Sequence, residues 1–262
     1  MRTTRLYVRL LGAHLRALLE HEADFWIMAV ATVLTQVVNI VFLTALFAKV
    51  PALNGWTFWD MMLMFGVVAL AEGVGSFFFE GMWRLAEQIN MGELDYFLVR
   101  PYPVALQSSS AQVGINGLSN MVVGGIMIGT AVAHVDIPWS AWTVPLAVVM
   151  LLSAVVIKVS INLATNAASF WLSSPTPLLA LSVHQIGDLA RFPLSIYPFV
   201  IKAALGVLVP FAFVTFFPIA FLRGTGAVPW IGLLTPLVAA YCAAAATVIF
   251  KRGLLRYESA GN

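Results

Sequence analysis

The run Thr143 to Leu172, TVPLAVVMLLSAVVIKVSINLATNAASFWL, decides what class of molecule this is. It carries a single charged side chain, Lys158, in a stretch longer than the roughly 20 apolar residues that take a helix across a bilayer. Working outward, the same reading applies to Phe25 to Ala48, Phe58 to Phe79, about Val113 to Ala133, Ile196 to Phe217 and Trp230 to Phe250. The chain therefore reads as an all-α integral membrane protein with six transmembrane helices. The fifth span is the least regular. Pro198, Pro210 and Pro218 each remove a backbone donor, which predicts a kink near Pro210, an end by Phe217 and a short, re-entrant or interfacial stretch from Pro218 to Pro229.

Composition agrees. Of 262 residues, 61% are hydrophobic and only 10% charged, less than half the charge of an ordinary soluble domain. Six spans leave no room for a second large domain, so residues 1–262 form one membrane domain. The 14 Lys and Arg are scattered between apolar runs, and the net charge is +2, which excludes a nucleic-acid-binding face. A lone cysteine, Cys242, excludes an internal disulfide framework and a Cys-rich metal site.

Residues 1–22 are not a signal peptide, because arginines break the apolar positions and no cleavage site follows a compact apolar core. At about 100° per residue, Arg2, Arg5, Arg9, Arg16 and Glu20 share one side, and leucines fill the rest of the circumference. This predicts an amphipathic helix lying along the interface, with Glu20, Glu22 and Asp24 marking the turn into the first span. A count of basic residues sets orientation. With the amino terminus in the cytoplasm, Arg2, Arg5, Arg9, Arg16, Arg84, Arg100, Arg191, Lys251, Arg252 and Arg256 fall inside and Lys202 near it, against Lys49 and Arg223 outside. All eight tryptophans fall near predicted water boundaries, as an aromatic belt requires. Both termini are thus expected in the cytoplasm and the chain in the cytoplasmic (inner) membrane, among its lipids. The outer links are short, whereas the inner connections 80–103 and 173–195 are long enough to hold helices and a cytoplasmic partner.

Catalytic equipment is missing. There is no G-x-x-x-x-G-K-[ST] phosphate loop and no G-x-S-G motif. The four histidines are distributed so that no two share a triad or a metal across the bilayer. No catalytic or metal-ligating residue is assigned, and no cofactor is expected in this chain.

The segment Glu80 to Pro103, EGMWRLAEQINMGELDYFLVRPYP, is the richest in signals. Trp83, Leu85, Ala86, Ile89 and Met91 give a helix an apolar side, while Glu80, Arg84, Glu87 and Gln88 supply a polar one. Gly92 breaks that helix, and Arg100-Pro101 stops the next piece. An amphipathic helix here suits a lipid surface or a partner protein alike. As a coupling element it would offer Glu87, Glu93, Asp95 and Arg100 for ion pairs.

The run Gly92-Glu93-Leu94-Asp95-Tyr96-Phe97-Leu98-Val99-Arg100-Pro101 resembles the Gly-x-Leu-Asp-x-x-Leu-x-Arg-Pro stretch after the second span in a branch of type-2 ATP-binding-cassette (ABC) exporter permeases. Arg191-Phe192-Pro193 with Tyr197-Pro198, Pro210-Phe211 and Phe217-Pro218 resembles that branch's proline-punctuated fifth span. Lys251 to Gly261 is similar to its basic, Tyr-Glu-Ser ending. The resemblance implies a permease that pairs with an identical or sister permease and with two separate cytoplasmic ABC ATPase subunits, which would bind the ATP and Mg. It also implies that the loop after the second span docks on the ATPase, through Arg84, Glu87, Gly92, Glu93, Asp95, Arg100 and Pro101. ATP-driven closure would then rock the spans between inward- and outward-open states.

Two ionisable side chains lie inside spans. At 1.5 Å per residue Glu72 lies about 21 Å below Phe58 and Lys158 about 22 Å below Thr143, so the two are level. A lone charge at that depth costs roughly 2.5–3.5 kcal/mol on insertion scales, which predicts that Glu72 and Lys158 pair, as a clamp or as part of a transport path. Gln36, Asn39, Asn162 and Asn166 read as interhelical glue or path lining, and Gly125-x-x-x-Gly129 as a site of close helix approach. The competing reading from these residues is an ion-coupled carrier or channel-like module that uses Glu72 and Lys158.

Overall fold

The computed structural model describes residues 2–20, 22–172, 177–226 and 228–258. The helices are α1 (Arg2–Leu19), α2 (Glu22–Phe47), α3 (Phe58–Trp83), α4 (Leu85–Asn90), α5 (Leu94–Leu98), α6 (Val104–Ser109), α7 (Ile115–Val132), α8 (Thr143–Ala167), α9 (Leu178–Asp188), α10 (Phe199–Ala203), α11 (Phe216–Arg223) and α12 (Thr235–Arg256). Helices α2, α3, α7, α8 and α12 are long and apolar enough to cross a bilayer. They alternate in direction. One end of the bundle, here the loop end, carries the tight Asn54-Gly55 turn; the other, the terminal end, carries α1 and the last turn of α12.

Local chemistry explains the ends. Asn54 (φ 48°) and Gly55 (φ 84°) make the left-handed pair that reverses the chain between α2 and α3. The α3 amino terminus is held by Asp60, whose Oδ2 accepts from the Thr57 amide at 2.7 Å and the Thr57 hydroxyl at 2.8 Å. At the terminal end α3 bends at Phe79 (φ −132°, ψ 28°), the predicted edge of the second span. α1 packs there through Tyr7, whose hydroxyl donates to the Phe78 carbonyl. Arg9 and Arg16 of α1 are exposed, while Leu10, Leu11 and Leu15 are half-buried, an interfacial pattern. The side chains of Arg2, Arg5, Leu18, Leu19, Glu22 and Asp24 lie outside the described residues.

Helices α3 and α7 touch most closely, and glycines permit it. A Cβ on Gly117 would lie 2.5 Å from the Phe77 amide nitrogen, and one on Gly124 would lie 2.6 Å from that of Leu70. The predicted Gly125-x-x-x-Gly129 pair is not the contact: a Cβ at either position meets nothing within 4 Å. Gly125 sits one residue, about 100°, round the helix from Gly124 and so faces outward.

The fifth crossing differs from the expectation. Pro177 to Ile196 does not stay at the terminal end. Its lower part meets Trp83, whose ring lies 4.7 Å from that of His184. Phe192 packs edge-on against Phe65, and the Ser195 carbonyl accepts from Asn54 Nδ2 at 3.4 Å, at the loop end. Helix α9, the 3-10 turns Leu189–Arg191 and Leu194–Ile196, and their extended joints thus traverse the bundle. Residues 177–195 therefore run from the terminal end of the bundle to its loop end instead of staying at one end as the expected coupling segment 173–195 would; residues 173–176 lie outside the described residues.

The proline-rich stretch that follows is re-entrant. Phe199–Leu208 and Phe211–Arg223 meet at 75°, and Pro210, between them, breaks the helix where predicted. The apex reaches mid-depth: Phe211 lies under Gly187, with its ring centroid 6.0 Å from Lys158 Nζ. The returning limb ends at the loop end, where Arg223 Nη1 meets Asp60 Oδ2 at 2.9 Å. The helix does not end by Phe217. Pro218 sits in the first turn of α11, where its missing N–H costs nothing, and α11 runs on to Gly224 in the left-handed conformation (φ 65°). Lys202 consequently lies at the loop end, beside Asn54 and Arg223, and Arg191 lies within the bundle. Among the described residues the chain passes along the bundle six times, and α1 and the last turn of α12 lie at the same end.

The main core is shared by α3, α7, α8, the fifth crossing and the re-entrant pair. A second, smaller core at the terminal end joins Leu85, Ile89 and Leu94 to Ala167 and Phe250.

Candidate functional site

The candidate site residues gather in two constellations: a charge cluster in mid-bundle and the module at the terminal end. The cluster is built by α3, α8 and the fifth crossing. Glu72 Oε1 accepts from Lys158 Nζ, and Glu72 Oε2 lies 3.5 Å from Arg191 Nη2. Arg191 also meets Asp188 Oδ1 at 2.9 Å, one turn before it. Aromatic faces complete the shell: Phe211 near Lys158, and Phe65 with its centroid 5.8 Å from the Arg191 guanidinium carbon. The formal charges of Glu72, Asp188, Lys158 and Arg191 cancel. Lys158 is only 8% exposed and Glu72 14%, so each depends on the other for compensation. Arg191 escapes a reading of the sequence that counts it among loop cations. The signal that could have found it is the charged run Asp188 to Arg191, at the i, i+3 spacing of a helical ion pair.

Polar residues make separate ties. Gln36 Nε2 donates to Asn120 Oδ1 at 2.9 Å and joins α2 to α7. Asn39 Nδ2 donates to Gln36 Oε1 at 3.1 Å. Asn166 Nδ2 donates to the Asn162 carbonyl and side chain on the same helix. Asn162 lies close to Lys158, on the wall of a small cavity shared with His184.

At the terminal end, Gly92 (φ 73°) reverses the chain between α4 and α5, a turn that a side chain at this position would strain. Arg84 clasps Glu87 through two 2.6 Å hydrogen bonds and donates a third to Gln112 Oε1 at 2.6 Å. Hydrogen bonding to Arg84 lowers the Glu87 carboxyl below its ordinary range, and the same bond raises the Arg84 guanidinium. Gln88 is not on a polar face as expected: it is buried, accepting from Ser108 Oγ at 2.6 Å. Met91, expected on the apolar side, is exposed. Gln107 pins the following loop by donating to the carbonyls of Phe97 and Tyr102 at 3.0 and 2.9 Å.

The tail closes on this module. Tyr257 stacks edge-on against Phe170 and lies beside the Asp95 carboxylate. Burial and that neighbouring carboxylate push the Tyr257 hydroxyl up to about 12. Asp95 and Tyr257, 162 positions apart, belong to two of the stretches that carry the resemblance. Ser259, Ala260 and Gly261 lie outside the described residues. Glu93, Arg100 and Pro101 are exposed. So are Tyr96 and Val99, at 70% and 84%; sequence reasoning passed over these two because apolar residues in a membrane protein are read as lipid-facing by default. Among the described residues no group of three or more His, Cys, Asp or Glu side chains could hold a metal ion.

A family model described as ABC-2 family transporter protein matches residues 33–261. No curated protein and no solved structure matches the chain. The family match begins within α2 and takes in the rest of the crossings, the charge cluster and the terminal-end module, and members of this family are membrane components of ABC transporters, with the ATPase in a partner. The chain belongs to the ABC-2 family of transporter proteins.

Proposed function

We propose that this chain is the permease subunit of an ATP-driven exporter, moving an amphipathic or apolar molecule by alternating access. Two separate cytoplasmic ATPase subunits would hold the ATP and Mg, and a second permease, identical or sister, would complete the pathway. The observation that carries this reading is the terminal-end module. It is braced by its own core against α8 and α12, yet it leaves Tyr96, Val99 and Arg100 on its surface. An exposed apolar patch ringed by charge is the ordinary mark of a protein partner. Arg84, Glu87 and Asp95 are engaged within the chain, so docking falls to Glu93, Tyr96, Val99, Arg100 and Pro101.

With Lys202 moved to the loop end, the basic residues still favour a cytoplasmic terminal end. Arg2, Arg5, Arg9, Arg16, Arg84, Arg100, Lys251, Arg252 and Arg256 stand against Lys49, Lys202 and Arg223. The carrier reading is weaker, because both Glu72 oxygens already face cations of this chain. Purification in mild detergent followed by proteoliposome transport tests the proposal. An ATPase subunit is expected to co-purify and transport to require ATP. Transport by the chain alone without ATP would overturn it in favour of the carrier.

A further inference from the structure

One cavity belongs neither to the charge cluster nor to the module. It lies at the loop end between the Asn54-Gly55 turn, Ser195 and α11, with a volume of about 480 Å³. Three of its wall residues carry a buried hydrogen-bonding atom with no partner in the protein: Ser195 Oγ, Arg223 Nε and Thr225 Oγ1. Lys202 lines the same space, and no Asp or Glu does among the described residues. Asp60 stands behind Arg223, bound through Oδ2 to its Nη1 and to Thr57. Its Oδ1 is also buried without a partner, but Asp60 is not part of the wall. One of the two cations is thereby neutralised and Lys202 is not. The remaining wall is apolar, with Trp56 held 5.2 Å from the Arg223 guanidinium carbon and Phe217 beside it.

A guanidinium nitrogen can only donate, and a buried donor left unmet is costly. Arg223 Nε, Ser195 Oγ and Thr225 Oγ1 are covered by the protein itself, so they are met only when an acceptor seated in the cavity turns these wall side chains toward itself, and the uncompensated Lys202, which lines the same space, favours a negative one. The volume falls in the range of small-molecule sites, enough for a headgroup and the start of a chain. We propose that this cavity binds an oxyanion carried on an apolar body, with Arg223, Lys202, Ser195 and Thr225 as donors and the aromatic wall against the first methylenes. Such a group could come from a phospholipid of the adjoining leaflet or from a transported amphipath.

The test is titration calorimetry on the full chain in a non-ionic detergent with butyl phosphate, using inorganic phosphate and butanol as half-ligands. Butyl phosphate is expected to bind more tightly than either half. Lys202→Gln and Thr225→Val should each weaken it by about tenfold. Lys202→Arg should largely retain it, and Lys49→Gln, exposed at the same end outside the cavity, should not change it. Unaltered size-exclusion profiles establish that the variants fold. Absence of saturable binding, or equal binding by Lys202→Gln, overturns the proposal and leaves a water-filled cavity. Native mass spectrometry separates the sources. A phospholipid kept by the wild type and lost in Lys202→Gln assigns the lipid, and butyl phosphate binding without a retained lipid assigns a cargo. Neither readout involves ATP or an ATPase, so failure here leaves the exporter reading standing.

Discussion

Glu72 offers one oxygen to Lys158 and the other to Arg191, and this makes the three side chains unequal. Removing the carboxylate charge leaves Lys158 buried with no anion and Arg191 with Asp188 alone. Removing Lys158 leaves Glu72 still facing Arg191. Glu72→Gln is therefore expected to destabilise the folded chain by about 3–5 kcal/mol, the scale for breaking a buried pair, and Lys158→Met by clearly less. Thermal unfolding in detergent, followed by size exclusion, measures both; equal losses would remove Arg191 from the account. Depth arithmetic alone put Glu72 and Lys158 at one level, because both helices are regular and start at recognisable boundaries. It could not find Arg191, since residue depth follows from helix rise only where the chain is helical throughout, and Leu189 to Ile196 is not.

The same irregularity decided what was legible among the elements. Five crossings are continuous apolar helices, and hydropathy finds them. The crossing Pro177 to Ile196 contains His184, Asp188 and Arg191, and its α-helical part, α9, has only 11 residues, so by composition it reads as a loop. It crosses because its charges are met inside the bundle. The prolines signalled a break at Pro210 correctly, but not that the chain turns back there, since a kinked span and a re-entrant pair leave the same trace in sequence. Glycine spacing misled in a related way. A small-xxx-small pattern marks a face of a helix, and only the partner helix decides which face is used. Gly124→Ala places a methyl 2.6 Å from the Leu70 amide nitrogen and is expected to cost about 1–3 kcal/mol, as overpacking does. Gly125→Ala meets open space and should be neutral or slightly stabilising through helix propensity. Unfolding of the two variants in mixed micelles compares them directly, and a Gly125→Ala loss as large as that of Gly124→Ala would contradict the α3–α7 interface.

Across the molecule, α3 is the element that meets everything of interest. Its 26 residues, about 39 Å of helix, carry Asp60, paired with α11, in the first turn, Glu72 at the charge cluster, and Trp83 at the end, two positions before α4 of the terminal-end module. In the proposed exporter a push on the module would reach the re-entrant limb through one helix and two charge contacts, and the ends can be separated by experiment. Val99→Asp puts a charge in the exposed apolar patch without touching the small core, so the folded chain should no longer co-purify with its ATPase. Asp60→Asn leaves the module intact but removes the charge-assisted contact from α3 to Arg223. ATPase association and ATP hydrolysis should persist there, while transport per ATP falls by about tenfold, the rate equivalent of a charge-assisted bond worth about 1.5 kcal/mol. Binding assays and ATP-driven transport in proteoliposomes read the two effects independently. If Asp60→Asn transported normally with a correctly folded loop end, α11 would move without α3, and the path of coupling would have to run instead through α8 and Lys158 to the apex at Phe211.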